Sequence, residues 1–168
     1  QELTRQVAEQ LGHADGVLVF DPSSFPKSGP ASVGVARQWC GRLGKLDNCQ
    51  VAVYLGYVSG KGHTLVDMRL YLPKEWTTDK ARLDKAGVPN DHRGYRSRHQ
   101  LALDMLQAKG TQLPHGWVAG DDEMGRPYWF RRRAGTVPRL ARTRAGLYRR
   151  ARRAWTRFGR RTRRAGRS

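Results

Sequence analysis

Past Glu123 the sequence contains no acidic residue, and past Lys109 it contains no lysine. Cysteine is nearly absent: Cys40 and Cys49 are the two that exist. Their separation of nine matches no zinc spacing, and there is no Cys-x-x-Cys. The five histidines form no His-x-x-His or His-Glu-x-x-His arrangement, which argues against a metal-dependent phosphatase or similar hydrolase. Two buried or half-buried thiols in a reducing compartment are the simplest reading of the cysteines. No stretch approaches the roughly 18 apolar residues of a membrane span, and nothing reads as a signal peptide. A cytoplasmic protein is expected.

Charge divides the chain in two. The whole carries 32 Lys+Arg against 14 Asp+Glu, a net +18. Residues 131–168 hold 16 arginines and no acid, so residues 1–130 carry 16 bases against all 14 acids, a net +2. The first part reads as an ordinary globular domain with enough length for a core. The second reads as a polycation that self-repulsion keeps disordered.

Within the first part, Leu3, Val7 and Leu11 predict a helix stopped by Gly12. The apolar run Val17–Phe20, ending at Asp21, predicts a strand buried on both faces. Residues 22–48 carry Pro22, Pro26, Gly29, Pro30, Gly34, Gly41 and Gly44, and are read as a long functional loop. It is no phosphate-cradling P-loop, because Leu46 follows Gly44-Lys45. Alternation over 49–57 and 64–72 around Ser59-Gly60-Lys61 predicts a hairpin. Residues 73–97 read as an insertion with one short helix, capped by Thr78 and ended by Gly87. A helix from Ser97 to Gly110 and a short strand Trp117–Gly120 before Asp121 complete the pattern.

Two strands that each end in aspartate form a candidate metal pair. Ligands in open α/β sheets sit at the carboxyl ends of strands. Cleaving a phosphodiester needs negative charge stabilised on the attacking and leaving oxygens, and Mg²⁺ held by carboxylates does this. The bland alternative, a turn former or a helix cap, is common at strand ends.

Residue identity then enters. Phe20-Asp21-Pro22-Ser23-Ser24-Phe25-Pro26-Lys27-Ser28-Gly29 resembles the first-aspartate motif of DDE transposases from bacterial insertion sequences. Residues 32–41 and 44–51 continue the likeness, as does Tyr71-Leu72-Pro73-Lys74-Glu75-Trp76. Trp117-Val118-Ala119-Gly120-Asp121-Asp122-Glu123 is similar to the second-aspartate segment. The likeness covers roughly residues 1–133. It implies an RNase H-like mixed α/β sheet with flanking helices, the first aspartate ending strand one and the second ending strand four. It also implies a DNA substrate, two Mg²⁺ or Mn²⁺ ions, and cleavage of element ends with joining of the freed 3′ hydroxyl to target DNA. The full-length family is expected to assemble as homo-oligomers on DNA, with the bacterial nucleoid. Asp21 and Asp121 become the expected catalytic metal ligands, with Asp122 and Glu123 as solvated neighbours. Lys27, Arg37 and Lys45 become candidate phosphate contacts beside the plainer reading of surface charges.

The family's third acid is a glutamate on a later helix, and no acid follows Glu123. A partial catalytic domain over 1–133 is therefore expected, inactive as it stands. Glu75 and Asp104 are the internal acids available as substitutes, both poorly placed by pattern. Residues 134–168 are expected to be an Arg-rich tail. Its Arg, Ala, Gly, Thr and Pro composition suits a GC-rich gene read in a shifted frame. Arg149, Arg150, Arg152 and Arg153, interleaved with Trp155 and Phe158, give the rival reading of a nucleic-acid arm. A non-enzymatic nucleic-acid-binding protein acting through the tail is thus the second functional class. Deleting 134–168 is expected to remove most non-specific DNA affinity. If about six tail arginines meet phosphates, log K falls with log salt at a slope of about −5 in the full chain. A truncated chain with unchanged affinity and slope would exclude the tail as the main binding element.

Overall fold

The computed structural model describes residues 2–135. Helix α1 (Glu2–Leu11) forms where the spacing predicts it. Its inward stripe is Thr4 and Val7, flanked by Ala8 and Leu11, while Leu3 points outward. Strand β1 (Val17–Pro26) follows. Leu18 and Phe20 face the main core, and Val17 and Val19 face a smaller cluster on the other side, so the run is buried on both faces as its composition requires.

β1 does not end at Asp21; it continues to Pro26. The Pro- and Gly-rich stretch read as a loop also holds β2 (Ala36–Cys40) and the start of β3 (Lys45–Ser59). Hydrogen-bond direction explains how prolines sit in this strand. The Lys27 N–H donates to the Asn48 carbonyl at 2.9 Å, so odd-numbered residues of β1 point their N–H toward β3. Pro22 and Pro26 fall on the alternate positions, whose missing N–H would point away from β3. Beyond Phe20, no strand among the described residues pairs with that edge, so the prolines forfeit no ladder bond.

β3 is the spine of the sheet. It pairs antiparallel with β1 along one edge, and with β2 and then β4 (Gly62–Leu70) along the other. The β3–β4 hairpin lies on the side of β1 away from β5 (Trp117–Gly120), as expected. β5 runs parallel to β1. The result is a mixed five-stranded sheet with flanking helices, an α/β architecture. Because β2 is an added strand, the second aspartate follows the fifth strand and not the fourth.

The insertion holds two short helices, α2 (Lys74–Thr77) and α3 (Lys80–Lys85). Asp79, not Thr78, caps α3 by accepting from the Arg82 N–H, and Gly87 turns the chain at φ 66°. Trp76 seats this region: it is fully buried, its indole N–H donates to the Val35 carbonyl at 2.7 Å, and Arg82 stacks on its ring. Helix α4 (Arg98–Lys109) begins with the capping box of Ser97 and Gln100. It packs Ala102, Met105 and Leu106 into the main core with Leu18, Phe20, Val53 and Leu55. Two further helices, α5 (Asp122–Gly125) and α6 (Tyr128–Ala134), close the described chain. Ala134 is buried in the main core, so the folded body reaches at least to that residue. The expected tail from residue 136 onward lies outside the described residues.

Tyr57 pins the entry to β5. Its hydroxyl donates to the Pro114 carbonyl at 2.5 Å and accepts from the His13 N–H at 3.0 Å. Replacing Tyr57 by Phe strands two backbone groups at little change in volume. The expected loss is about 1–3 kcal/mol, read as a lower urea midpoint with an unchanged slope.

Candidate metal centre

The parallel register places the two aspartates. Val17, Leu18, Val19 and Phe20 pair with Trp117, Val118, Ala119 and Gly120, and Asp21 and Asp121 are the next residue on each strand. Neighbouring strands lie about 4.8 Å apart, so the two backbones stand side by side at this level. Strand alternation puts both positions in line with Val17, Val19, Trp117 and Ala119, on the face opposite the main core. Both residues are half-buried. β1 passes Asp21 and continues, paired there with Tyr54 of β3. β5 stops, and Asp121 becomes the cap of α5, one carboxylate oxygen accepting the Met124 N–H at 2.8 Å. The cap role weighed from sequence is therefore real for Asp121. It occupies one oxygen and leaves the other for a second partner.

Two carboxylates supply hard oxygen donors of the kind a hydrated divalent cation takes, with water completing its shell. Among the described residues no group of three or more His, Cys, Asp or Glu side chains is placed to hold a metal. Two aspartates are fewer than the three carboxylates that the family resemblance implies for two ions. The thiols add nothing to it. Cys40 and Cys49 are buried and free, and burial pushes the Cys49 thiol up to about 11.

The other acids raised by the sequence stand in different surroundings. Glu123 is no mere solvated neighbour: it pairs with Arg98 of α4 at 2.5 Å, and its backbone carbonyl lies 3.0 Å from the His99 ring nitrogen. Asp122 is exposed in the first turn of α5. Asp104 pairs with Arg96 at 3.2 Å beside a cavity of about 570 Å³ formed with β4 and the α3–α4 connection. Its helix packs on the Leu18 and Phe20 face, opposite the one Asp21 shares. Glu75 is exposed on α2, next to Trp76 of the separate insertion core.

Lys27 and Arg37 are brought into one cross-strand row by Asn48, a residue the sequence did not single out. Asn48 pairs with Arg37 across β2, accepts the Lys27 N–H, and donates its side-chain amide to the Lys27 carbonyl at 2.7 Å. Lys45 lies 3.0 Å from Asp47, whose carboxyl it holds below the usual range, together with the Asn48 N–H. This basic corner stands apart from the aspartates. Six residues of extended β1 separate Lys27 from Asp21, which is about 20 Å. Arg149, Arg150, Arg152 and Arg153 lie outside the described residues.

The sequence reading missed β2 and the α5–α6 pair. For β2 the signal was alternation of buried Ala36 and Cys40 with exposed Arg37 and Trp39, obscured by the surrounding glycines. For α6 it was the four-residue spacing of Phe130 and Ala134 after Pro127.

The fold is a mixed α/β sheet in which two aspartates follow the last pair of a parallel ladder, the level at which ligands commonly sit in open α/β sheets. The family model for the DDE superfamily endonucleases matches residues 1–168, and the chain belongs to that family. That match runs past residue 133, where the likeness read from sequence stopped. No curated protein and no solved structure matches the chain. Endonucleases of this superfamily act on DNA and generally use divalent metal ions. Among the described residues no helix is long and apolar enough to cross a membrane.

Gly120 makes the junction possible. A Cβ there would lie 2.8 Å from the Cβ of Met124, because α5 folds straight back over the strand end. Gly120→Ala is expected to cost about 1–3 kcal/mol by forcing α5, and the Asp121 cap with it, away from β1. Thermal unfolding of the variant beside wild type measures it.

Proposed function

We propose that Asp21 and Asp121 are the catalytic metal ligands of a DNA transposase catalytic domain and hold Mg²⁺ or Mn²⁺. The observation that carries this reading is the register: the Phe20–Gly120 pair is the last of the parallel ladder, and both aspartates follow it on one face. When bound, the cation would stabilise negative charge on phosphodiester oxygens. The chain's own contribution is to hold two carboxylates at fixed spacing. One is clamped within β1 and the other is oriented by the α5 cap. Lys27, just past the far end of β1 and about 20 Å away, offers a phosphate contact, as do Arg37 of β2 and Lys45 of β3. Consecutive phosphates of one strand rise about 3.4 Å along the helix axis, so that span corresponds to about six nucleotides. Arg149, Arg150, Arg152 and Arg153 would add affinity that does not depend on sequence. The reading places the protein with bacterial nucleoid DNA in the cytoplasm, as part of a homo-oligomer on element ends in the full family.

Cleavage and strand transfer in this reading need a third carboxylate, and residues 124–168 contain none. We therefore propose that the polypeptide of residues 1–168 binds the cation and DNA without completing strand transfer. A second reading, a non-enzymatic DNA-binding protein, is favoured by the fact that among the described residues no third acid joins the two aspartates in a group that could hold a metal. Metal binding separates the two. Calorimetry with Mn²⁺ is expected to show weak binding to wild type that Asp21→Asn weakens at least tenfold, or about 1.4 kcal/mol. Equal binding by both proteins would remove Asp21 from the site. Metal-dependent nicking of supercoiled DNA by wild type, abolished in Asp21→Asn, would show that two aspartates suffice.

A further inference from the structure

Away from the two aspartates, exposed aromatic side chains and arginines coincide on α6. The helix is anchored by Phe130 and Ala134, which lie four residues apart on one face and are buried in the main core. The Phe130 ring meets Phe20 edge-on, centroids 6.5 Å apart. That seating turns Tyr128 and Trp129 outward, 67% and 44% exposed. Trp129 rests against the His99 ring at 5.6 Å, which supports the indole without covering it.

Arg126, Arg131, Arg132 and Arg133 are all exposed, and no acid lies between residues 124 and 135. Arg131 is held in place: its guanidinium donates to the Gly125 and Arg126 carbonyls at 2.6 and 2.7 Å, and it lies 5.9 Å from the Tyr128 ring centroid. Arg132 follows Tyr128 by four residues and Trp129 by three, so it shares the helix surface of both rings.

We propose that this surface is a stacking platform for an unpaired DNA nucleotide, with Tyr128 or Trp129 taking the face of the base and Arg132 its phosphate. A surface that reads only the duplex backbone needs the arginines and gains nothing from exposed rings, because paired bases keep their faces in the stack. Single-stranded segments offer those faces, and aromatic side chains beside basic ones capture them without regard to sequence. A protein partner fits less well, because charged residues are depleted from the buried centre of protein interfaces. α5 and α6 follow Asp121 directly, and Phe130 packs on Phe20, the neighbour of Asp21. A nucleotide held on α6 is therefore at the same end of the β1–β5 ladder as the two aspartates. The inference rests on DNA being the substrate and is independent of metal binding.

The test uses the full chain in EDTA. Fluorescence anisotropy compares a blunt duplex with the same duplex carrying a short single-stranded thymidine overhang. Wild type is expected to prefer the overhang. The Tyr128→Ala, Trp129→Ala double variant is expected to lose that preference, binding the overhang about tenfold or more weakly while keeping the blunt-duplex affinity and its salt slope. Tyr128→Ala alone, whose ring is largely in solvent, is expected to retain the wild-type melting curve and lose part of the preference. That variant carries the test should the double variant melt early. Asp21→Asn is expected to keep the preference in full, which separates this proposal from the metal reading. No overhang preference in wild type, or an equal loss on both DNAs in the variants, overturns it.

Discussion

Four residue pairs between β1 and β5 form the parallel ladder of an otherwise antiparallel sheet, and the candidate site exists because of them. Parallel pairing is slightly less stable per residue than antiparallel, and here it joins segments a hundred residues apart in sequence, Val17 with Trp117. Closing so long a loop costs entropy that four backbone pairs do not offset alone. The surrounding structure supplies the rest. The Gly16 carbonyl accepts both the Gly116 and Trp117 N–H groups at 2.9 and 3.2 Å, and the Tyr57 hydroxyl bridges His13 and Pro114 just before β5 begins. At the other end, Phe130 and Met124 tuck into the main core with Phe20. The register is thereby held at both ends, and with it the side-by-side placement of Asp21 and Asp121.

β1 serves two sheets' worth of demands along one length. From Val17 to Phe20 it is a central strand, buried on both faces and paired on both edges. From Asp21 to Pro26 it has β3 on one edge and tolerates two prolines on the other. A half-buried carboxylate fits at the boundary between these regimes, where apolar packing ends. Glu123, by contrast, is bound to Arg98, and its ion pair ties α5 to α4. The acid beside the site thus positions the helix that Asp121 caps.

Charge is distributed by role. The basic corner around Asn48 and the arginines of α6 flank different parts of the same sheet, while Asp47 partly neutralises Lys45. With 16 bases against 14 acids in residues 1–130, the body has no strong overall field, and DNA contact there depends on where individual side chains stand. The 16 arginines of residues 131–168 act as a polycation whatever their arrangement, because counterion release depends on charge count more than on geometry.

How much was legible in sequence follows from the range of the forces involved. Local patterns determined α1, the two-face burial of Val17–Phe20, the β3–β4 hairpin, the Ser97 cap of α4 and the short strand before Asp121, since each is written in spacing a few residues wide. The family likeness, carried by segments such as Phe20–Gly29, was legible for the same reason. The tertiary structure alone decided that Pro22 and Pro26 sit in a strand, because that depends on which edge lacks a partner. It also decided that Lys27, Arg37 and Asn48 form one row, and that Asp104 and Glu75 stand apart from Asp21. These are consequences of pairing between distant segments, where a one-residue change of register would reverse every side chain. The identity of the aspartates was written in the sequence; their adjacency is a property of the parallel ladder.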